Sequence, residues 1–167
     1  VARRAAPFGM RVLGNDIVEI PRNVIDETRL ETAVLDDLLT QSDFVSLNCD
    51  LNPTSFHIIG ERELELMKPT AYLINTARGP LIDEPALARA LQEGWLAGAA
   101  LDVFEDEPLP KDSPLRQIDE VMLAPHNANS SPSAWQRIHQ QTLANLVQGL
   151  RDAETNAIPG ESSPSEH

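Results

Sequence analysis

The sequence predicts an α/β fold built on a parallel sheet, and two observations carry the prediction. Several short runs are nearly continuous in Val, Leu, Ile and Ala, which is typical of strands buried on both faces. Segments with helical periodicity separate these runs, and such strand–helix alternation favours a parallel sheet. The predicted strands are 10–15, 43–48, 71–75, 97–103 and 120–125.

The helix predicted after the third strand has a signal at each end. Asp83 is a suitable N-cap because its carboxylate can accept a hydrogen bond from the first turn, and Pro85 falls within that turn. Leu87 and Leu91 lie on one face of this helix. Gly94 can adopt the left-handed conformation that ends a helix. We therefore predict a helix between Asp83 and Gly94.

The carboxyl-terminal part of the chain divides into a helix and a tail. A helix is predicted over about 131–150, where apolar residues form a stripe at helical spacing. Residues 151–167 are rich in Pro, Ser, Gly and acids and offer almost nothing to bury, so we predict a disordered acidic tail. The predicted folded body is therefore 1–150.

Composition and charge argue against several classes of function. The chain has 167 residues with 13 Lys+Arg against 26 Asp+Glu, a formal net charge of −13. This balance argues against a nucleic-acid binder that neutralises phosphates and against binding to an anionic membrane. The single cysteine excludes an intrachain disulfide, and the scattered histidines predict no metal site. Because no long apolar segment or signal-peptide pattern is visible, we expect a soluble cytoplasmic protein.

Charged residues follow the predicted strands, and ligands of α/β sheets bind at the carboxyl ends of parallel strands. Asp16 ends the first run, Arg78 follows the third, Asp102 lies in the fourth and His126 follows the fifth. An acidic loop, 105–107, comes after Asp102. An arginine, carboxylates and a histidine at one edge suit an anionic substrate and acid/base chemistry. Taken singly, each of these residues is equally an ordinary surface or loop residue.

Four motifs, in this order and spacing, resemble the D-isomer-specific 2-hydroxyacid dehydrogenase family. They are LMKP (66–69), INTARGPLIDEPALARALQEGWLAGAALDVFEDEPLP (74–110), SPL (113–115) and APH (124–126). The resemblance extends from Phe8 to about Leu150. It implies a partial Rossmann-type, doubly wound parallel sheet with flanking helices, and NAD as cofactor. It also implies that the last helix leads back toward a substrate domain and that the full-length protein is a homodimer.

The resemblance implies hydride transfer between NAD(H) and a D-2-hydroxy acid or its 2-oxo acid, with three catalytic residues. Arg78 matches the arginine that binds the substrate carboxylate, and the fork of a guanidinium suits that geometry. His126 matches the general acid/base that exchanges a proton with the substrate oxygen. Glu107 matches the acid that pairs with this histidine and orients its ring.

The resemblance also implies a set of cofactor contacts. Asp16 matches the acid that bonds the adenosine ribose hydroxyls, and its charge favours NAD over NADP. Asp102 matches an acceptor for the nicotinamide carboxamide. The residues near the nicotinamide would be Cys49, Thr76, Ala77, Arg78 and His126. From its residue type alone, Cys49 is better explained as a small, fairly buried packing residue. No role is assigned to the other histidines, His57, His139 and His167.

The phosphate-binding fingerprint of the family, G-x-G-x-x-G, has no counterpart in this chain. The first strand of the family is missing with it, so we expect a sheet without its central strand and with unpaired edges. We interpret the chain as part of a longer enzyme. Two other interpretations stay open, namely a non-catalytic NAD-sensing or partner-binding module and an inactive fragment.

Overall fold

A computed structural model describes residues 1–128 and 130–156 of the chain. The chain divides into two units, Val1–Ala128 and Asn129–His167. Within the described residues, the first unit contains all the strands and every helix except the last. No helix in this part of the chain is both long and apolar enough to cross a membrane.

Helices and strands alternate along the first unit, which confirms the predicted α/β class. The helices are α1 (Ala2–Ala5), α2 (Arg22–Thr28), α3 (Leu35–Gln41), α4 (Glu61–Leu66) and α5 (Glu84–Gln92). The strands are β1 (Leu13–Gly14), β2 (Glu31–Thr32), β3 (Phe44–Leu47), β4 (Tyr72–Asn75), β5 (Gly98–Leu101) and β6 (Val121–Leu123). Short 3₁₀ turns cover Ala6–Phe8, Gly79–Leu81 and Pro114–Gln117.

The described strands form two parallel sheets. Strands β3, β4, β5 and β6 make a four-stranded sheet in that order, and β1 pairs with β2 in a separate two-stranded sheet. The register sets Leu47 beside Asn75, Asn75 beside Leu101, and Leu101 beside Leu123, so the carboxyl ends of the four strands are level.

The hydrophobic core lies mainly against one face of the four-stranded sheet. Leu73 of β4 is fully buried with Leu39 of α3, Leu64 of α4 and Leu87 of α5. Adjacent strand residues point to opposite faces, and neighbours of the buried positions, Tyr72, Phe44 and Met122, are exposed. The helices on one face therefore hold the strands in a fixed register, which in turn fixes the loops at their carboxyl ends.

Helix α5 has the predicted boundaries. The Asp83 side chain accepts a hydrogen bond from the amide of Ala86 at 3.0 Å, Pro85 lies in the first turn, and Gly94 has a φ of 74°. In the second unit, helix α6 (Pro132–Asn156) begins at the predicted position but continues beyond residue 150. The prediction that the disordered tail starts at 151 is therefore wrong for 151–156, and the rest of that tail lies outside the described residues.

Candidate active site

The predicted site residues follow the ends of the four aligned strands. Thr76 comes directly after β4, Asp102 comes directly after β5, and His126 lies in the loop that follows β6. The amide of Asp102 donates to the carbonyl oxygen of Asn75 at 2.9 Å, which extends the pairing of β4 and β5 past their ends. The sheet thus brings two loops to one edge. The turn after β4 carries Arg78, and the loop after β5 contains Asp102 and Glu107.

The turn that carries Arg78 is shaped by a buried asparagine. Asn75 is fully buried, its Nδ2 donates to the carbonyl oxygen of Arg78 at 2.8 Å, and its Oδ1 accepts from the amide of Ala77 at 3.0 Å. Arg78 is exposed, and its Nη1 donates to the carbonyl oxygen of Ala77 at 2.6 Å. We did not predict this role of Asn75, although a polar residue at the end of an apolar strand is a usable signal.

A cleft of about 450 Å³ lies beside this turn. It brings together four of the predicted cofactor residues, which are Cys49, Thr76, Ala77 and Arg78. Burial of part of the Cys49 thiol raises its pKa, and the negative charges of Asp16 and Asp50 raise it further. Asp16 therefore acts electrostatically on the cleft, although its own side chain is exposed and accepts a hydrogen bond from the amide of Val18 at 3.1 Å.

His126 and Glu107, the residues predicted to act as an acid/base pair, are in contact. Nδ1 of His126 lies 2.8 Å from Oε2 of Glu107, and Oε1 of Glu107 accepts from the amide of Phe104 at 3.1 Å. The hydrogen bond with His126, followed by that with Phe104, lowers the pKa of Glu107 from its ordinary value. Because a carboxylate only accepts hydrogen bonds, Nδ1 of His126 is the donor to Glu107, and this contact orients the imidazole ring.

Asp102 is engaged in a way that the sequence did not predict. Its side chain is buried, and its two oxygens accept from the amides of Asn127 and Ala128 at 2.8 and 2.9 Å. His126, directly before them, has a φ of 53°, in the left-handed region that non-glycine residues seldom adopt. Asp102 therefore holds the loop that carries His126. Its implied contact with a nicotinamide carboxamide stays a prediction.

A second histidine–carboxylate pair was missed by the sequence analysis. Nε2 of His57, to which no role was assigned, lies 2.6 Å from Oε1 of Glu105, and both side chains are partly buried. Glu105 is therefore not simply part of a solvated acidic loop. The two residues are 48 positions apart, and no local pattern in the sequence connects them.

Comparison with known proteins identifies the family. Residues 1–128 match the family model described as "D-isomer specific 2-hydroxyacid dehydrogenase, NAD binding domain". The chain belongs to this family. The match confirms the resemblance found in the sequence and the assignment of NAD as the cofactor of this dehydrogenase domain.

The relatives that match this chain are much longer than the chain itself. A glyoxylate reductase of Korarchaeum cryptofilum is 47% identical over 147 residues, which are 88% of this chain and 44% of the relative. A crystal structure of a glyoxylate reductase from Paecilomyes thermophila is 41% identical with a TM-score of 0.79, covering 87% of this chain and 43% of that one. The chain therefore spans less than half the length of these relatives.

A relative solved with ligands has the same fold. The structure of D-lactate dehydrogenase from Aquifex aeolicus, complexed with NAD and lactic acid, is 32% identical with a TM-score of 0.80. It covers 98% of this chain, which in turn covers 54% of it. This likeness confirms the Rossmann-type α/β fold of this dehydrogenase domain.

Proposed function

We propose that this chain is the NAD-binding part of a dehydrogenase that interconverts a D-2-hydroxy acid and its 2-oxo acid. The observation that carries the proposal is the His126–Glu107 pair, with nitrogen and oxygen 2.8 Å apart, at the same sheet edge as Arg78. Because its relatives of 42–47% identity include several named glyoxylate reductases, we propose a small 2-oxo acid such as glyoxylate as the substrate.

The residues at the sheet edge fit the nicotinamide end of NAD. The cleft beside Arg78 is lined by Thr76 and Ala77 at the end of β4 and by Cys49 after β3. Asp16 follows β1, where a carboxylate can accept from ribose hydroxyls. When bound, NAD supplies the acceptor of a hydride in the oxidation direction, and NADH supplies the donor in reduction. The residues of this chain provide substrate binding and proton transfer.

Arg78 is proposed to bind the substrate carboxylate. Its guanidinium is exposed at the cleft, and the turn beneath it is fixed by the two hydrogen bonds of the buried Asn75. A planar guanidinium can donate two parallel hydrogen bonds to a carboxylate, which orients the ligand as well as binding it. The fixed turn limits the conformational entropy that Arg78 loses when the ligand binds.

His126 is proposed to exchange the proton. In reduction, Nε2 of the protonated ring gives its proton to the oxygen of the carbonyl group that is becoming a hydroxyl, and in oxidation the neutral ring takes it back. Glu107, at Nδ1, stabilises the positive charge of the protonated ring. The lowered pKa of Glu107 keeps its carboxylate charged under the conditions in which His126 works.

The test is an assay of NADH oxidation with glyoxylate and hydroxypyruvate, using the full-length product of the gene that encodes this chain. His126→Ala should lower kcat by ~10²–10⁴ because a general acid/base is removed. His139→Ala, a matched change of an exposed histidine on α6, should leave kcat unchanged. An unchanged rate in His126→Ala would remove this residue from the proposed role, and no turnover with any 2-oxo acid would refute the proposed activity.

The remaining alternative is a module that binds NAD without turnover. Titration of the protein with NADH, followed by fluorescence, separates the two functions. Tight binding of NADH together with absence of turnover would favour the sensing module over the dehydrogenase. The homodimer implied by the resemblance stays a prediction, and analytical ultracentrifugation tests it.

A further inference from the structure

The pair His57–Glu105 lies next to the loop that carries Glu107, and the proposed mechanism does not use it. Nε2 of His57 is 2.6 Å from Oε1 of Glu105, and Nδ1 is 3.9 Å from Oδ2 of Asp83. A carboxylate can only accept hydrogen bonds, so Nε2 of His57 is the donor. The side chains of His57 and Glu105 are each about 30% exposed, so water screens their interaction only in part.

The backbone of His57 is fixed to the turn that follows Arg78. Its amide donates to the carbonyl oxygen of Pro80 at 2.9 Å, and the amide of Ile59 donates to the carbonyl oxygen of Leu81 at 3.1 Å. On the other side of this turn, Gly79 packs so closely that a Cβ would overlap the carbonyl group of Phe104. The His57 segment, the arginine turn and the segment from Phe104 to Glu107, which we term the acid loop, therefore form one connected scaffold.

Negative charges are crowded around the anchored end of the acid loop. The amide of Glu105 donates to Oε1 of Glu84 at 2.5 Å, and Asp83 precedes Glu84 in the chain. Burial raises the pKa of Glu84, and the charges of the acid loop raise it further against the opposing effect of this hydrogen bond. Like charges at this distance repel one another. Oε1 of Glu105 accepts from two donors in this crowded region, Nε2 of His57 at 2.6 Å and the amide of Glu84 at 3.5 Å, so His57 makes the shorter contact.

The far end of the acid loop holds the acid/base pair. The amide of Phe104, adjacent to Glu105, donates to Oε1 of Glu107 at 3.1 Å, and Oε2 of Glu107 pairs with Nδ1 of His126 at 2.8 Å. A displacement of Glu105 therefore moves the amide that orients Glu107. Three hydrogen bonds and the covalent backbone between Phe104 and Glu105 together connect His57 to His126.

We propose that His57 is a positioning residue for the acid/base pair: through Glu105 it holds the acid loop where Glu107 meets His126. The effect on the reaction rests on the proposed function, whereas the effect on the geometry does not. His57 itself does not contact the reacting atoms. The proposal gives a role to a histidine and to a glutamate that the sequence pattern left without one.

The backbone of His57 decides which variants are informative. Its φ of 50° lies in the left-handed region, which asparagine tolerates better than most residues. His57→Asn therefore keeps the backbone while its shorter side chain no longer reaches Glu105. His57→Gln restores the length of the side chain and an N–H donor, without the charge. Glu105→Gln removes the charge from the other partner.

The first measurement is the set of NMR chemical shifts of the His126 ring, recorded at one fixed pH with isotope-labelled histidine in the full-length product of the gene. In His57→Asn these signals should move by more than their line width, because the contact between Nδ1 of His126 and Oε2 of Glu107 is displaced. His57→Gln should recover at least half of that change. His139→Asn, which changes a histidine on α6, should leave the ring signals of His126 unchanged.

The second measurement is steady-state kinetics with NADH and glyoxylate. His57→Asn should lower kcat by about 10-fold, less than the ~10²–10⁴ expected for loss of the acid/base itself. KM for glyoxylate should stay within about 2-fold, because the backbone bonds that hold the Arg78 turn remain. His57→Gln should restore most of kcat.

The outcomes separate the two proposals. If folded His57→Asn keeps both the ring chemical shifts of His126 and kcat of the wild type, the positioning role is wrong. A loss of kcat without a change in the ring signals of His126 also overturns it. If His57→Asn does not fold, Glu105→Gln decides the question with the same two measurements. Should His126→Ala keep its activity, the proposed function fails while the NMR measurement still tests the geometry.

Discussion

Two regions of the first unit differ sharply in how they are held together. The amino-terminal segment, 1–33, contributes α1, α2 and the two-stranded sheet, and Thr28 is the one buried residue among those that the structure describes there. The four-stranded region, 35–128, contributes every described residue of the hydrophobic core, from Leu39 to Leu115. In the amino-terminal segment, apolar side chains such as Phe8 and Ile17 are exposed.

The difference separates the two halves of the proposed NAD site. Arg78, Glu107 and His126 stand on loops anchored to the four-stranded region, whereas Asp16 lies in the amino-terminal segment. The ion pairs of that segment, such as Arg3 with Glu27 and Arg11 with Glu31, are exposed. Exposed pairs of this kind add little stability. The chemistry of the reaction is thus placed on the part of the unit that has a core.

The largest expected effect comes from truncating a side chain in that core. Leu73→Ala in β4 removes a fully buried side chain, and the transfer and cavity costs together should lower the free energy of unfolding by about 2–5 kcal/mol. Ile17→Ala, the matched change in the amino-terminal segment, should alter it by less than about 0.5 kcal/mol because Ile17 is already exposed. Urea denaturation followed by circular dichroism measures both. Equal losses in the two variants would contradict the unequal distribution of stability.

Gly79→Ala tests whether the arginine turn and the acid loop are packed as one body. A Cβ at this position would overlap the carbonyl group of Phe104, so either the turn or the loop must move, at a cost of about 1–3 kcal/mol. Activity should fall as well, since the displaced loop carries Glu107. Gly94→Ala is not a suitable control because the φ of Gly94 is 74°. Gly149→Ala on α6, with open space around it, should leave activity unchanged and raise the free energy of unfolding by up to about 1 kcal/mol, the opposite sign to Gly79→Ala.

Asp102→Asn tests the loop of the catalytic histidine. One of the two amides, that of Asn127 or of Ala128, loses its charged acceptor, and the free energy of unfolding should fall by about 1–3 kcal/mol. Asp16→Asn is the matched change in the amino-terminal segment, where the carboxylate is exposed, and should have an effect below about 0.5 kcal/mol. A larger effect for Asp16→Asn would show that burial does not distinguish these two strand-end acids.

The features that the sequence predicted correctly depend on local chemistry or on an ordered motif. The ends of α5 follow from two local signals. The Asp83 side chain accepts a hydrogen bond in the first turn, and Gly94 adopts a left-handed φ just after the last turn. The strands of the four-stranded sheet follow from apolar runs. Strand β2 was missed because Glu31 and Thr32 are polar and exposed, so no pattern of burial marks them. Helix α6 continues past its predicted end. The prediction relied on composition, which shows how little a segment can bury but does not determine whether it is helical, and Ala153 and its neighbours still favour a helix.

The parts of the site that were not predicted depend on tertiary contacts. The acid/base pair was predicted through the family motif, but Asp102 as the anchor of the histidine loop was not, because its partners are backbone amides 25 and 26 positions away. The same holds for His57 and Glu105. The close approach of Gly79 to Phe104, which packs the Arg78 turn against the acid loop, was not predicted either, because no spacing in the sequence encodes it.

The smallest expected effect is the pH dependence of the His126–Glu107 pair. Folding lowers the pKa of Glu107, so its contribution to stability is fully present above the ordinary value of 4.5 and is lost as the pH falls through the lower folded value. The difference in unfolding free energy between wild type and Glu107→Gln should therefore shrink as the solution is acidified below pH 4.5. Chemical denaturation at a series of pH values measures it.

Glu27→Gln is the matched variant in the amino-terminal segment, since Arg3 lowers the pKa of Glu27 in the same way. The difference for Glu27→Gln should shrink over the same acidic range. A difference for Glu107→Gln that stays constant below pH 4.5 would contradict the lowered pKa of Glu107.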